Sequence, residues 1–280
     1  MKILITGSEG QLGNSFKKIA DNYEHDFTFT DIEELDVTSE EETDNYLKAG
    51  KFDFIINCAA YTAVDNAEND YDKAFALNTT APYLLAKYSK KYKTRFIHIS
   101  TDYVFDGKSS VPYTPQSDTN PKSIYGTTKL QGEKKIQRTN KDAKIIRTSW
   151  LYSEFGNNFV KTMLKLGATK SSVNVVYDQI GTPTYATDLA KVIMKMTEHM
   201  PIDTIFHFSN EGVCSWYDFA KKIMEIKGLK CKVQPILTKD YPTIAKRPAY
   251  SVLDKSDIKL NLRLEIPHWE DSLRECLETL

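Results

Sequence analysis

The chain has 280 residues, of which 41% are hydrophobic and 27% charged, and its formal net charge is −1. That length allows one large domain or two modest ones with a sizeable interior. The near-neutral charge, without a basic tail or a long single-sign block, excludes a global field drawing in nucleic acid or an anionic membrane. Cys58, Cys214, Cys231 and Cys276 form no C-x-x-C and no zinc spacing with histidine. They read as reduced packing thiols, and we expect a cytoplasmic protein. Met1 to Gly7 is apolar too briefly for a signal peptide, and Phe54 to Val64 is too short to span a bilayer.

Lys2 to Thr6 predicts a strand. It runs into Gly7-Ser8-Glu9-Gly10-Gln11-Leu12-Gly13, after which Leu12, Phe16 and Ile19 recur at helical spacing. Strand, glycine turn and helix form the context of a dinucleotide fingerprint. Glycines let the backbone approach a pyrophosphate, and the helix N-terminus offers it free N–H groups. Gly7, Gly10 and Gly13 are therefore candidate cofactor residues. The G-x-x-G-x-x-G spacing is one residue longer than the usual fingerprint, and an ordinary glycine-rich turn is the competing reading.

Phe27 to Thr30 predicts a second strand ending at Asp31. A carboxylate there takes the adenosine ribose hydroxyls and repels a 2′-phosphate, unless it is simply a loop cap. Ile32 stands where a basic residue would accept that phosphate, and Glu9 adds negative charge, so NADH is favoured over NADPH. Ser39 opens a helix to about Lys48 with capping-box spacing. Phe52 to Asn57 predicts a third, buried strand, followed by the small residues of Cys58-Ala59-Ala60-Tyr61-Thr62. Asp70 to Tyr92 reads as one long helix, with Ala74, Leu77, Ala81, Leu84, Leu85 and Tyr88 on one side. Asn78 within it is either solvated or a brace for the site.

Arg95 to Ser100 predicts a fourth strand, buried on both faces, with His98 packed or hydrogen-bonded. Ligands of open α/β sheets bind at the carboxyl ends of strands, so Thr101 is placed to meet a substrate carbonyl. Asp106 to Ser123, with three prolines, is a loop. Tyr125-Gly126-Thr127-Thr128-Lys129 follows on a helix. Tyr125 and Lys129 share one face, and an ammonium beside a phenol lowers the phenol's pKa from about 10 toward neutral. Tyr125 can then exchange a proton with a substrate, although many such pairs are solvated surface neighbours. Lys144 to Thr148 predicts a fifth strand.

Alternating strands and helices over residues 1–150 predict an α/β fold, a Rossmann-like doubly wound parallel sheet binding a dinucleotide. Over 151–280 the alternation loosens into a smaller substrate-binding lobe, some of whose segments return to the core. There, helices are expected from Phe159 to about Leu166, from Thr187 to Met196 and from Ser215 to about Lys227. Strands are expected at Val173 to Tyr177 and Thr204 to Ser209. Arg247 is either a partner for a diphosphate or a structural cation.

The glycine turn, the Thr after the fourth strand and the Y-x-x-x-K helix together resemble the extended short-chain dehydrogenase/reductase superfamily. Asn57 to Asp65, Ser100 to Phe105, Arg147 to Trp150, Gly156 to Phe159, Asp178 to Thr184, Arg247-Pro248 and Ser251 to Asp254 narrow the resemblance to the dTDP-4-dehydrorhamnose reductase family. It spans nearly the whole chain. It implies hydride transfer from NADH, with NADPH the other option, to C4 of dTDP-4-dehydro-L-rhamnose, giving dTDP-L-rhamnose.

By this resemblance Tyr125 is the proton donor, Lys129 holds the nicotinamide ribose and Thr101 orients the ketone. Gly10, Gln11 and Leu12 meet the pyrophosphate, Asp31 the ribose, and Asp36 and Val37 the adenine. Ala60, Tyr61 and Thr62 line the nicotinamide half, while Thr101, Asp102 and Trp150 contact the substrate. Some members dimerise around a magnesium ion held by glutamates. The matching positions here, Ser15 and Thr187, carry no carboxylate, so no metal is expected, and the chain is expected to be a monomer or a weak homodimer.

Two rivals remain. One is a sugar 4,6-dehydratase or 4-epimerase of the same superfamily, but dehydratases follow the catalytic Thr with Asp-Glu, and Tyr103 removes the second carboxylate. The other is a non-catalytic nucleotide-binding subunit like the regulatory beta subunit of methionine adenosyltransferase.

Overall fold

The computed structural model describes residues 1–280. The first half alternates β1 (Lys2–Thr6), α1 (Gln11–Ile19), β2 (Asp26–Thr30), α2 (Glu40–Gly50), β3 (Phe54–Asn57), α3 (Val64–Ala67), α4 (Tyr71–Phe75), α5 (Ala81–Lys91), β4 (Arg95–Thr101), α6 (Ile124–Thr139) and β5 (Lys144–Thr148). The second half continues with β6 (Leu151–Tyr152), α7 (Phe159–Thr169), β7 (Ser172–Val176), β8 (Ile180–Gly181), β9 (Thr184–Tyr185), α8 (Ala186–Glu198) and β10 (Ile205–His207). It ends with β11 (Cys214–Ser215), α9 (Trp216–Ile226), β12 (Lys232–Ile236), α10 (Ser256–Leu262) and α11 (Trp269–Glu278). No helix is long and apolar enough to cross a membrane.

Six strands form one parallel sheet in the order β10-β5-β4-β3-β1-β2. The chain order reverses between β1 and β3, which opens a crevice at their carboxyl ends. Successive strand residues point to opposite faces, and both faces are covered. Ile3, Ile5, Ile56, Ile97 and Ile146 pack with Phe16 of α1 and Leu189 and Ile193 of α8. Leu4, Ile55, Phe96 and Ile145 pack on the other side with Leu47 of α2, Leu84 of α5 and Ile136 of α6. A third core joins α7, α9 and α11 through Val160, Phe219, Ile223 and Leu273.

The long helix expected over 70–92 is interrupted. Between α4 and α5 lies a π-helical turn, Ala76–Thr80. Pro82 is the reason: in a regular helix its ring would strike the carbonyl four residues earlier, that of Asn78, and the wider turn moves that carbonyl aside. Other differences are element ends: the third strand starts at Phe54 rather than Phe52, and the strand expected over 204–209 spans Ile205–His207.

Candidate active site

At the carboxyl end of β1, Gly7 has φ 69°, and a Cβ there would lie 2.5 Å from the Ala59 nitrogen. Only glycine fits, and Gly13 backs onto the same turn. Gly10 is exposed and starts α1 in extended conformation without a side-chain cap. The first intrahelical bond runs from Asn14 N to Gly10 O. The N–H groups at Gln11 and Leu12 therefore point out of the helix end, a cradle that fits a dinucleotide pyrophosphate. The Leu12 side chain turns into the core. The Gln11 amide oxygen accepts from Ser153 Oγ (3.1 Å) and Asn158 Nδ2 (3.0 Å), tying the turn to the second half.

Asp31, at the end of β2, accepts from Glu9 N (3.0 Å) and Ile32 N (2.9 Å). It caps the glycine turn and keeps a half-buried carboxylate at its rim. Asp36 accepts from Thr38 N and Thr38 Oγ1, and Val37 is buried among the helices on one sheet face. After β3, Ala60 and Tyr61 are half-buried and Thr62 is exposed. Asn78, fully buried in the π turn, is the brace rather than a solvated residue. Its Oδ1 accepts from Tyr61 N (2.9 Å), and its Nδ2 donates to Tyr61 O (3.1 Å) and Thr128 Oγ1 (3.2 Å). On α6, a Cβ at Gly132 would lie 2.1 Å from the Asn78 carbonyl, so only glycine lets this helix seat on the π turn.

Thr101 ends β4. Its hydroxyl donates to Asp102 Oδ1 (3.0 Å) and accepts from Tyr103 N (3.2 Å). Asp102 is 2% exposed, and neither its Oδ2 nor the neighbouring Ser251 Oγ has a close hydrogen-bond partner. Burial pushes the Asp102 carboxyl up to about 7, opposed by Thr101 and by the Ser251 hydroxyl facing it.

Ser123 caps α6 by accepting from Gly126 N, and the first turn carries Tyr125 against the edge of the Tyr103 ring, 5.4 Å between centroids. Tyr125 is buried, which pushes its phenol up to about 12, with the Thr101 hydroxyl opposing. This corrects the sequence expectation of a Tyr125 tuned downward by Lys129. The Lys129 amine is 2% exposed and turns to the sheet, donating to Ile99 O at 2.6 Å. Burial lowers it to about 8. Tyr125, Thr101 and Lys129 do converge on the carboxyl end of β4, but desolvation dominates both titrations.

One turn further along α6, Glu133 accepts from Arg147 Nε (3.0 Å) and Nη2 (2.7 Å) and from Ser100 Oγ (2.5 Å). Arg147 also donates to Pro115 O and lies over the Phe105 ring. This bidentate pair, fully buried, clamps the Tyr125 helix to β4, β5 and the 106–123 loop.

Trp150 has φ 48°, a strained conformation for a bulky side chain. It stacks on Trp216 with 3.6 Å between centroids and 10° between planes, and Phe159 lies 4.6 Å from Trp216. Sequence reasoning singled out Trp150 and missed Trp216; a pair of large aromatics just after the Ser215 cap was the available signal. Arg247 is committed to Asp65 through two bonds of 3.0 and 2.7 Å, which makes it a strap between the 240s loop and α3. Ser15 Oγ donates to Gln11 O, and Thr187 is buried at the start of α8. A cleft of about 590 Å³ lies at the opposite, amino edge of β1, β3 and β4, lined by Lys51, Asp53 and Arg95 among others. It is remote from the converging groups.

Residues 1–280 match the family model described as RmlD substrate binding domain. The chain is 38% identical over 288 residues to a dTDP-4-dehydrorhamnose reductase of Aggregatibacter actinomycetemcomitans, covering 98% of this chain and 97% of the relative. Among solved structures, a Clostridium acetobutylicum dTDP-4-dehydrorhamnose reductase superposes with TM-score 0.97 at 42% identity, covering 100% of this chain and 99% of the other. A Bacillus anthracis dTDP-4-dehydrorhamnose reductase in complex with NADP superposes with TM-score 0.96 at 37% identity over 100% and 99% of the two chains. The chain belongs to the dTDP-4-dehydrorhamnose reductase family of NAD(P)H-dependent oxidoreductases.

Proposed function

We propose that this chain reduces the C4 ketone of dTDP-4-dehydro-L-rhamnose to the alcohol of dTDP-L-rhamnose. The observation that carries this reading is the meeting of Thr101, Tyr125 and Lys129 at the end of β4, beside a glycine turn shaped for a dinucleotide. A nicotinamide cofactor, when bound, supplies the hydride. Gly7, Gly10 and Gly13 admit the backbone to its pyrophosphate, with the N–H groups of Gln11 and Leu12 toward it. Asp31 takes the adenosine ribose, Asp36 and Val37 border the adenine, and Ala60, Tyr61 and Thr62 follow the nicotinamide half.

Thr101 orients the ketone. A phenol held near 12 stays protonated across neutral pH, so Tyr125 is a loaded acid that releases its proton only as the alkoxide forms. The phenolate left behind is stabilised by Lys129 in its ammonium form. Asp102 and Trp150 hold the sugar, and the Trp150–Trp216 stack offers a flat apolar wall to the bound nucleotide sugar. We assign NADH as the preferred cofactor because Asp31 repels a 2′-phosphate and Ile32 offers it no cation. The second half serves as the substrate lobe of a cytoplasmic protein, a monomer or weak homodimer without a metal bridge.

Loss of NADH absorbance with dTDP-4-dehydro-L-rhamnose tests the reading, with the 4-keto-D-sugar as control. Rapid oxidation with the L-sugar alone is the expected result. Bound NADH that neither sugar oxidises would instead favour a regulatory subunit.

A further inference from the structure

A buried chain of hydrogen bonds runs across the carboxyl ends of β1, β3 and β4 behind Lys129. Asn57 Oδ1 accepts from Thr6 Oγ1 (2.8 Å) and from the Ala59 backbone N–H (3.0 Å). A backbone N–H can only donate, so this contact fixes the Asn57 amide: oxygen toward Ala59, nitrogen toward His98. Asn57 Nδ2 then donates to His98 Nδ1 at 3.0 Å. With Nδ1 an acceptor, the ring proton of neutral His98 sits on Nε2. That nitrogen is 3.3 Å from Lys129 Nζ. Asn57 and His98 are fully buried and Lys129 nearly so, and burial keeps His98 neutral.

The ring therefore presents an N–H, not a lone pair, to the lysine. A neutral amine accepts it while still donating to Ile99 O, whereas an ammonium has no lone pair to offer. We propose that Asn57 and His98 are positioning residues that fix the imidazole tautomer facing Lys129 and thereby set when the Lys129 amine holds a proton. The other groups around the amine are few. Glu133 on α6 favours the ammonium, but its carboxylate is committed to Arg147. Cys58, in the loop after β3, favours it only as a thiolate, and burial keeps that thiol protonated. Tyr125, one turn back on α6, is a neutral phenol.

The inference deepens the role given to Lys129, and two of its three tests need neither substrate nor cofactor, so they stand if the sugar assignment fails. In the free protein, long-range proton–nitrogen spectra, with His98→Gln to assign the ring, are expected to show the Nε2–H tautomer. An Nδ1–H tautomer overturns the proposal, and this test does not depend on any variant of Asn57 folding. Selective labelling of lysine Cε, assigned by Lys129→Met, is expected to show a titration near pH 8. In Asn57→Asp the new carboxylate accepts from Nδ1–H, turns Nε2 into an acceptor, and moves that titration up by about one pH unit or more. The high-pH limb of kcat/KM, which reports groups of the free enzyme, is expected to move with it. A folded Asn57→Asp protein in which either titration stays in place overturns the proposal.

Discussion

β4 and α6 carry two buried polar groups of opposite character, one helical turn apart. At the back, Ser100, Glu133 and Arg147 satisfy one another, and His207 Nδ1–H donates to Tyr113 O while Nε2 faces Arg147. At the front, Asp102 Oδ2 has no close partner, Tyr125 is held far from its phenolate, and Lys129 is close to losing its proton. Burial is nearly equal in the two places, so what differs is pairing. A paired buried charge holds geometry, and an unpaired one stores a readiness to exchange protons. The rigid group carries the responsive one on the same helix.

The contrast predicts that damage at the front abolishes chemistry while damage at the back abolishes folding. Tyr125→Phe is expected to lower kcat by roughly 10²- to 10⁴-fold, with thermal stability unchanged and NADH still bound by fluorescence titration. Comparable turnover in that variant would sink the proton-donor assignment. Arg147→Met leaves Glu133 buried without its cation and is expected to cost about 3–5 kcal/mol in urea unfolding. A loss below ~1 kcal/mol would mean the clamp is dispensable.

Asp102 sharpens the comparison through pH. Its folded pKa of about 7 lies above the ordinary 3.8, so between those values the native state binds more protons than the unfolded chain. Stability is therefore lost as pH rises through that window. In Asp102→Asn the amide oxygen still accepts from Thr101 and the amide nitrogen can donate to Ser251. Relative to wild type, the variant is expected to gain ~2–4 kcal/mol between pH 4 and pH 8. A flat difference across that range would show that Asp102 titrates normally. The smallest effect is expected at the rim: Ile32→Arg should raise the NADPH to NADH ratio of kcat/KM by about tenfold, or ~1.4 kcal/mol. An unchanged ratio would remove Asp31 and its neighbour from cofactor selection.

Much of this was legible in the sequence where the signal is local. The glycine turn, the strands of the parallel sheet and the helix starts at Ser39 and Ser215 follow from periodicity and capping chemistry. Lys129 shows where local reasoning stops. Its neighbour at i−4 suggested a partner, but the amine is taken by the Ile99 carbonyl, and only the sheet's assembly brings that group near. The π turn was written in Pro82, whose meaning depends on whether the helix continues through it. Trp150 and Trp216 stack because β6 and α9 meet in the second half, which no window of sequence contains. The Arg147–Glu133 clamp left no such trace, since its two charges lie 14 residues apart on separate elements and meet only when α6 and β5 come together.

The position of β10 has a consequence for how the molecule comes into being. β5 pairs on one side with β4 and on the other with Ile205–His207, and the sheet face bearing Ile3, Phe54 and Ile97 is closed by Leu189 and Ile193. On a ribosome, the first half is therefore made long before the sheet's last strand and covering helix emerge. Until then it presents an open strand edge and an uncovered apolar layer, the features that invite association between nascent chains. A fragment cut near residue 150 would keep every glycine of the cradle and both Tyr125 and Lys129, and still lack the means to stay dissolved. The second half completes the sheet and the core of the first, so the two mature together.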